Sequence, residues 1–409
     1  MTATAFRLND PGTIHDPYPR YAALRDSAPV HYDPELDLWF LSRYEDAAVA
    51  VRDAGRFSSD LGRWSNITDN PFAPDQRPSR PLAAVLRRLP SPRILLSIDP
   101  PDHTMLRRKV SRAFTPRAIA SWEPRIREVT DGLVADMAAR GADRPSVDLV
   151  HEFASPLPTV VIAELMGIPA DRRDDFKRWS DGLIDGLLTS GGGLRSARSA
   201  LAISWFFTKT VRERRKNPGD DLISMLVAGD PEEALTASEI VAFCVLLLVA
   251  GNETTTNLIS NAVNALFTHP EAADGLRADP GSAPAIVAET LRHDGPAQGL
   301  IRMTTTDVVF DGVTIPARSR VLALIASANR DPRRWPDPDD FRPDRDHSGH
   351  LAFGTGIHHC LGHALTRLEA SIALETLYRR FPGIAPAAPP TRIDSPVLRG
   401  FRTLPVRLA

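Results

Sequence analysis

Between Ile240 and Gly251 the sequence runs almost unbroken through apolar side chains. The residues on either side decide what that run is. Thr236-Ala-Ser-Glu239 fits a capping box, in which a hydroxyl and a carboxylate satisfy each other's backbone N–H groups at a helix start. No proline follows until His269-Pro270, so the helix can continue to Thr268. About thirty residues at ~1.5 Å each span ~45 Å, the width of a whole domain. A helix apolar nearly all round in its first half belongs in the middle of a fold, with other elements packed against it. The unbroken run falls short of the ~18 to 20 residues that cross a bilayer, so it predicts a buried core helix and no membrane contact.

The surrounding elements are mostly helical. Helix patterns cover Tyr18 to Arg25 and Tyr44 to Arg52, with short strands at Val30 to Tyr32 and Leu38 to Leu41 between them. Asp99-Pro100-Pro101-Asp102 predicts a helix start with Asp99 as N-cap, and Thr115-Pro116 stops that helix after Phe114. Helical patterns fill most of 117 to 230, interrupted at Gly191-Gly192-Gly193. A further helix covers Pro284 to His293. Val308 to Ile315 holds Asp311-Gly312, a pair suited to a tight hairpin turn, and Val321 to Ala326 predicts another short strand. Leu361, Leu365, Leu368 and Ile372 recur at helical spacing until Phe381-Pro382-Gly383. No βαβ alternation is present and no linker divides the chain. The fold class is mainly α with a minor β part (α+β), in one domain over residues 1–409.

Composition removes several functions. Lys+Arg 49 against Asp+Glu 51 leaves a formal charge of -2, so no global field recruits nucleic acid or an anionic membrane. Two cysteines, Cys244 and Cys360, exclude a disulfide framework and suit a reducing compartment. The N-terminus has no basic-then-apolar signal pattern, so a cytoplasmic protein is expected. Proline is in excess, 36 residues, but mainly punctuates helices. One stretch, Asp60 to Pro92, is irregular and carries six prolines, which reads as a loop over a site.

The chemistry centres on Phe353-Gly354-Thr355-Gly356-Ile357-His358-His359-Cys360-Leu361-Gly362-His363. A cysteine just before an amphipathic helix gains from the N–H groups and dipole at the helix start, which favour a thiolate. The glycines let backbone approach something flat and large. Those are the demands of a thiolate axial to haem iron. A zinc cluster of His358, His359, Cys360 and His363 is disfavoured, because consecutive donors diverge and no Cys-x-x-Cys pair exists elsewhere. A buried structural cysteine is the plain alternative for an isolated residue, though not for this whole pattern.

With those residues in view, the sequence resembles the cytochrome P450 family. Phe353, Gly356, His358, Cys360 and Gly362 fill the fixed positions of its cysteine-ligand signature. The resemblance implies the fold of that family and heme b (iron protoporphyrin IX), with Cys360 as metal ligand and Phe353 and Gly354 beside the ring. In the central helix it matches Ala250-Gly251-Asn252-Glu253-Thr254-Thr255 to the oxygen-activation stretch. Ala250 and Gly251 are small enough to leave room for a ligand, and Thr254 can bond its own helix or divert a backbone bond and widen it. The resemblance makes Thr254 and Glu253 the catalytic pair in proton delivery. It also makes His103, Arg107, Arg302 and His358 the partners of the haem propionates, and Glu289, Arg292 and Arg345 a buried structural network.

It further implies a monooxygenase that combines an organic substrate with O2, two electrons and two protons, giving oxidised substrate and water. A ferredoxin or flavodoxin-like donor with its NAD(P)H reductase would supply the electrons, docking on the stripe Arg108, Lys109 and Arg112, whose plain alternative is a solvated face. Substrate-facing segments by family position are 60 to 96, the Gly191 joint, Val241 to Val249, Ala297 to Leu300, and Val397 to Leu398. They are largely apolar, so a small, moderately hydrophobic substrate is expected, with no nucleic acid, no membrane and a monomeric enzyme. Arg80, Arg87 or Arg399 could meet a substrate carboxylate, though surface arginine is the stronger reading. Two rivals remain: a peroxide-driven peroxygenase of the same fold, against which the intact Glu253–Thr254 pair counts, and a non-catalytic haem sensor.

Overall fold

The computed structural model describes residues 6–60, 94–172, 175–180, 182, 193–228 and 235–409. The proline-rich segment from 61 to 93, with Arg80 and Arg87, and the Gly191-Gly192 part of the joint lie outside the described residues.

The long helix runs Ala237–Thr268, 32 residues or about 48 Å at ~1.5 Å each. Its capping box forms in full: Glu239 N donates to Thr236 Oγ1 at 3.2 Å and Thr236 N to Glu239 Oε2 at 2.8 Å. His269 N closes the other end on Ala265 O at 2.9 Å, and Pro270 opens the next helix, Pro270–Ala278. Helices Pro156–Leu165, Gly193–Lys216, Ala283–His293 and His363–Arg380 lie against it. By length and composition alone it could cross a membrane, with an 18-residue window of mean hydropathy 1.5. Its apolar character thus extends past the run seen in sequence, but here the partners of that surface are protein helices.

The β part is small and mixed. Five strands lie in the order Val30–Asp33, Leu38–Leu41, Arg320–Ala323, Leu300–Thr304 and Phe57–Ser58. Only Leu38–Leu41 and Arg320–Ala323 run parallel, with Phe40 opposite Leu322. The hairpin Val308–Phe310 with Val313–Ile315 turns at Asp311 and Gly312, both at positive φ (49° and 76°), as the Asp-Gly pair predicts. The strand predicted to Ala326 ends at Ala323, because Ile325–Ala328 folds into a helical turn.

A second correction falls on Asp99. The helix there spans Asp102–Ser111, and Asp99 does not cap it. Its carboxylate instead accepts from Ser59 N at 2.9 Å and from the Ser58 hydroxyl, tying the approach to this helix to the edge strand. Thr115 stops one helical stretch and caps the next, Pro116–Ala120, accepting from Ala118 N at 3.3 Å. The largest apolar core joins the central helix to its neighbours, and two smaller cores lie on the two faces of the five-stranded sheet.

Candidate active site

The cysteine loop is built by two left-handed glycines. Gly354 has φ +66° and Gly356 φ +69°, a region that penalises any side chain. At Gly356 an added Cβ would also lie 3.0 Å from Arg52 O, at the end of helix Tyr44–Arg52. The loop closes where Cys360 N donates to Phe353 O at 2.8 Å. Helix His363–Arg380 follows, with Gly362 as its N-cap. Among the described residues nothing lies within 4 Å of a Cβ built on Gly362, so open space adjoins the helix start two residues after Cys360. Burial pushes the half-buried Cys360 thiol up, while the N–H groups of Gly362 and His363 and the charge of Arg107 favour the thiolate.

Near the cysteine loop lie His103, Arg107, Arg302 and His358, none of which forms an ion pair among the described residues. His103 and Arg107, one turn apart on helix Asp102–Ser111, both face the loop. Arg107 Nη2 donates to His359 O at 2.6 Å. His103 is 1% exposed, yet neither ring nitrogen has a hydrogen-bond partner among the described residues. Its ring lies 4.2 Å from that of His358, whose Nε2 is also unpartnered. Arg302 comes from strand Leu300–Thr304, on the face that carries Leu300 toward Gly354. It is 5% exposed, and its one hydrogen bond among the described residues goes to Ile301 O, at 2.8 Å. Burial lowers it to about 10 despite the charge of Asp99. Burial, His103, Arg302 and Arg107 together hold His358 down at about 3. Buried cations are normally paired, and these four side chains are arranged for an anion between them.

On the central helix, Ala250 is exposed, and Glu253 and Thr254 are half-buried. Thr254 Oγ1 donates to Ala250 O at 2.7 Å, and the helix stays α-helical there, so the widening admitted from sequence does not occur. The room expected at Gly251 is taken by a neighbour: an added Cβ would lie 2.8 Å from Ile162 Cδ1 on helix Pro156–Leu165. Asn252 reinforces that crossing by accepting from Thr159 Oγ1 at 3.0 Å. One residue past Thr254, Thr255 Oγ1 lies 3.3 Å from Thr366 Oγ1, linking this stretch to the helix that follows Cys360. Asn257 Nδ2 donates to Glu253 Oε1 at 3.3 Å. Its position, four residues after the acid, was the available signal, and sequence reasoning missed it.

The structural network forms as expected. Arg292 clamps Glu289 with bonds of 2.7 and 2.8 Å, both side chains fully buried, and Arg345 Nε adds one of 3.1 Å. Burial would raise Glu289, but Arg292 and His347 hold it at about 2. Phe353 packs under the Arg367 guanidinium at 5.2 Å. Arg108 and Arg112 are exposed and Lys109 half-buried. Arg399 is neither a surface residue nor a substrate partner in this arrangement: it is 7% exposed and bonds Asp294 Oδ1 at 2.5 Å. Its segment does reach the expected substrate side, since Arg399 N donates to Pro296 O at 2.8 Å and Ala297 bridges Leu398. Among the described residues no three His, Cys, Asp or Glu side chains form a metal cluster.

A model of the cytochrome P450 family matches residues 283–405. The chain is 40% identical to cytochrome P450 107B1 of Saccharopolyspora erythraea, covering 97% of this chain and 96% of that protein. It is 39% identical to a vitamin D(3) 25-hydroxylase of Pseudonocardia autotrophica, over 100% and 98%. The solved structure of CYP109Q5 from Chondromyces apiculatus superposes with a TM-score of 0.87 at 37% identity, covering 100% of this chain and 99% of that one. The unpartnered nitrogens of His103 and His358, the unpaired Arg302 and the open space at Gly362, two residues after Cys360, suit a flat group with an iron to ligate and two carboxylates to neutralise, which is haem. Likeness of this extent along entire chains establishes that the protein belongs to the cytochrome P450 family and is a haem monooxygenase.

Proposed function

We propose that this chain, as one haem domain over residues 1–409, inserts one oxygen atom of O2 into a small, moderately hydrophobic organic molecule. The observation that carries the reading is the set His103, Arg107, Arg302 and His358 gathered near the Cys360 loop, with no ion-pair partner among the described residues. Heme b, when bound, would supply O2 binding and reduction, with a thiolate ligand donating electron density to its iron. Cys360 would be the thiolate that ligates its iron. His103, Arg107, Arg302 and His358 neutralise its two carboxylates, which would be costly to bury alone. Phe353 and Gly354 would line the group on the side of the Cys360 loop, and the small side chain of Ala250 would leave room for it at the central helix. Gly251 contributes through helix packing, which sets how close Ala250 comes.

Glu253 and Thr254 hold and pass protons toward the site of O2 reduction. Thr254 has a hydroxyl anchored on Ala250 O, with its lone pairs free to accept from water or to relay. The apolar side chains of Val241 to Val249 and the paired segments 297–300 and 397–398 exclude water and select for hydrophobic shape. A vitamin D(3) 25-hydroxylase among the relatives supports that substrate class. Arg108, Lys109 and Arg112 receive an acidic ferredoxin or flavodoxin-like donor, served by its NAD(P)H reductase. The enzyme works as a monomer in the cytoplasm.

The test is turnover with reduced ferredoxin and O2. Thr254→Ala is expected to keep haem and substrate binding while diverting electrons to peroxide. Unchanged coupling in that variant contradicts the proton-delivery role, and turnover by hydrogen peroxide alone at the full rate points to the peroxygenase instead.

A further inference from the structure

Asn257 sits one helical turn beyond Glu253, with its Nδ2 donating to Glu253 Oε1 at 3.3 Å. It is fully buried, and its Oδ1 has no hydrogen-bond partner among the described residues. An amide satisfied at one end and orphaned at the other is unfavourable, so its orientation calls for a cause. Backbone supplies one. Gly400 packs so closely that an added Cβ would fall well inside contact distance of Asn257 Oδ1 and Cγ. Only glycine fits there.

The seat is rigid. One turn further along the same face, Asn261 Nδ2 donates to Arg399 O at 3.0 Å and to Asp294 O at 2.8 Å. Arg399 is itself held by Asp294 and by His15 O, the latter at 3.1 Å. Ile393 N donates to Gly400 O at 3.2 Å, which fixes the turn that follows Val397 and Leu398. Turning the amide over would set Oδ1 against a carboxylate oxygen, so Nδ2 stays on Glu253 while that group is ionised.

We propose that Asn257, seated on Gly400, is a positioning residue that fixes the Glu253 carboxylate for proton transfer. It rests on the acid–hydroxyl reading of Glu253 and Thr254 given above, and it adds a residue on each of two elements. Asn257 touches neither substrate nor cofactor in this role; it acts through Glu253 alone.

Asn257→Leu keeps the branched shape and removes the donor. In the holoprotein it is expected to retain the ferrous–CO band while coupled product formation falls about tenfold, the size of one hydrogen bond to a charged group. In a Glu253→Gln background the same change is expected to add no further loss, because its effect passes through the missing carboxylate. A second readout needs no turnover. Infrared difference spectra between the ferric protein and its Glu253→Gln variant mark the Glu253 carboxylate band, which is expected to move in Asn257→Leu and in Gly400→Ala. Gly400→Ala displaces the amide from the other side and serves if the leucine variant fails to fold. An equal loss in both backgrounds, or an unmoved carboxylate band, overturns the proposal and leaves the acid–hydroxyl reading standing. Full coupling in both Thr254→Ala and Glu253→Gln sinks that reading first, and the role of Asn257 with it.

Discussion

His103 and His358 lie with ring centroids 4.2 Å apart, and three of their ring nitrogens are buried without a hydrogen-bond partner among the described residues. Two imidazoles in that state, beside a buried Arg302, form a site that the protein alone does not satisfy. The consequence is opposite signs for one substitution in two states. Arg302→Leu removes an unpaired buried charge from the apoprotein, whose melting temperature is expected to rise. The same change removes a charge-assisted bond from the holoprotein, and haem retention is expected to weaken by about 10- to 100-fold. Thermal melts of the apoprotein and haem transfer to a scavenger protein measure the two effects separately.

Gly251 gives a packing test. Gly251→Ala puts a methyl group against Ile162 Cδ1, a flexible side-chain end, so a loss of about 1–3 kcal/mol is expected without change in the haem spectrum. Ile162→Val removes that Cδ1 carbon and is expected to restore most of the stability. A damaged haem spectrum with unchanged stability would instead make Gly251 a wall of the cofactor cavity.

Glu369 carries a pH dependence. It is 2% exposed, its Oε2 has no partner, and burial raises it to about 8. A carboxyl held neutral by the fold contributes stability fully present below its ordinary value near 4.5, and that contribution is lost as pH rises to about 8. Glu369→Gln removes the dependence. The variant is therefore expected to gain a few kcal/mol over the parent at pH ~9 and little or nothing at pH ~4. Equal differences between variant and parent at the two pH values would show that folding leaves the Glu369 carboxyl unshifted.

The Glu289 network gives the opposite sign. Arg292→Leu leaves a fully buried carboxylate with much of its compensation gone, at a cost of about 3–5 kcal/mol. Glu289 then moves up from about 2, so the parent loses this contribution only below pH ~4.5 while the variant is weak already at neutral pH. Urea unfolding at pH ~7 measures the difference.

Much of this was legible in the sequence, for local reasons. The capping box at Thr236 and the proline after His269 bracket the central helix because both signals act within a single turn. The Asp311-Gly312 turn and the Cys360 loop are equally local, set by glycines that allow positive φ. What escaped depends on tertiary partners. Asp99 reads as a helix cap until Ser58 and Ser59 claim its carboxylate from an edge strand. Arg399 reads as a surface residue until Asp294, 105 positions earlier, meets it in the interior. Gly251 reads as space for a ligand until Ile162 fills it. No spacing along the chain reports which neighbour arrives from elsewhere.

The most direct measurement is the ferrous–CO spectrum of the purified holoprotein and of its Cys360→Ser variant. Thiolate ligation by Cys360 calls for a strongly red-shifted Soret band in the parent and its loss in the variant. A parent protein with the unshifted band of imidazole-ligated haem, or a variant that keeps the red-shifted one, would contradict the assignment of Cys360 as the iron ligand.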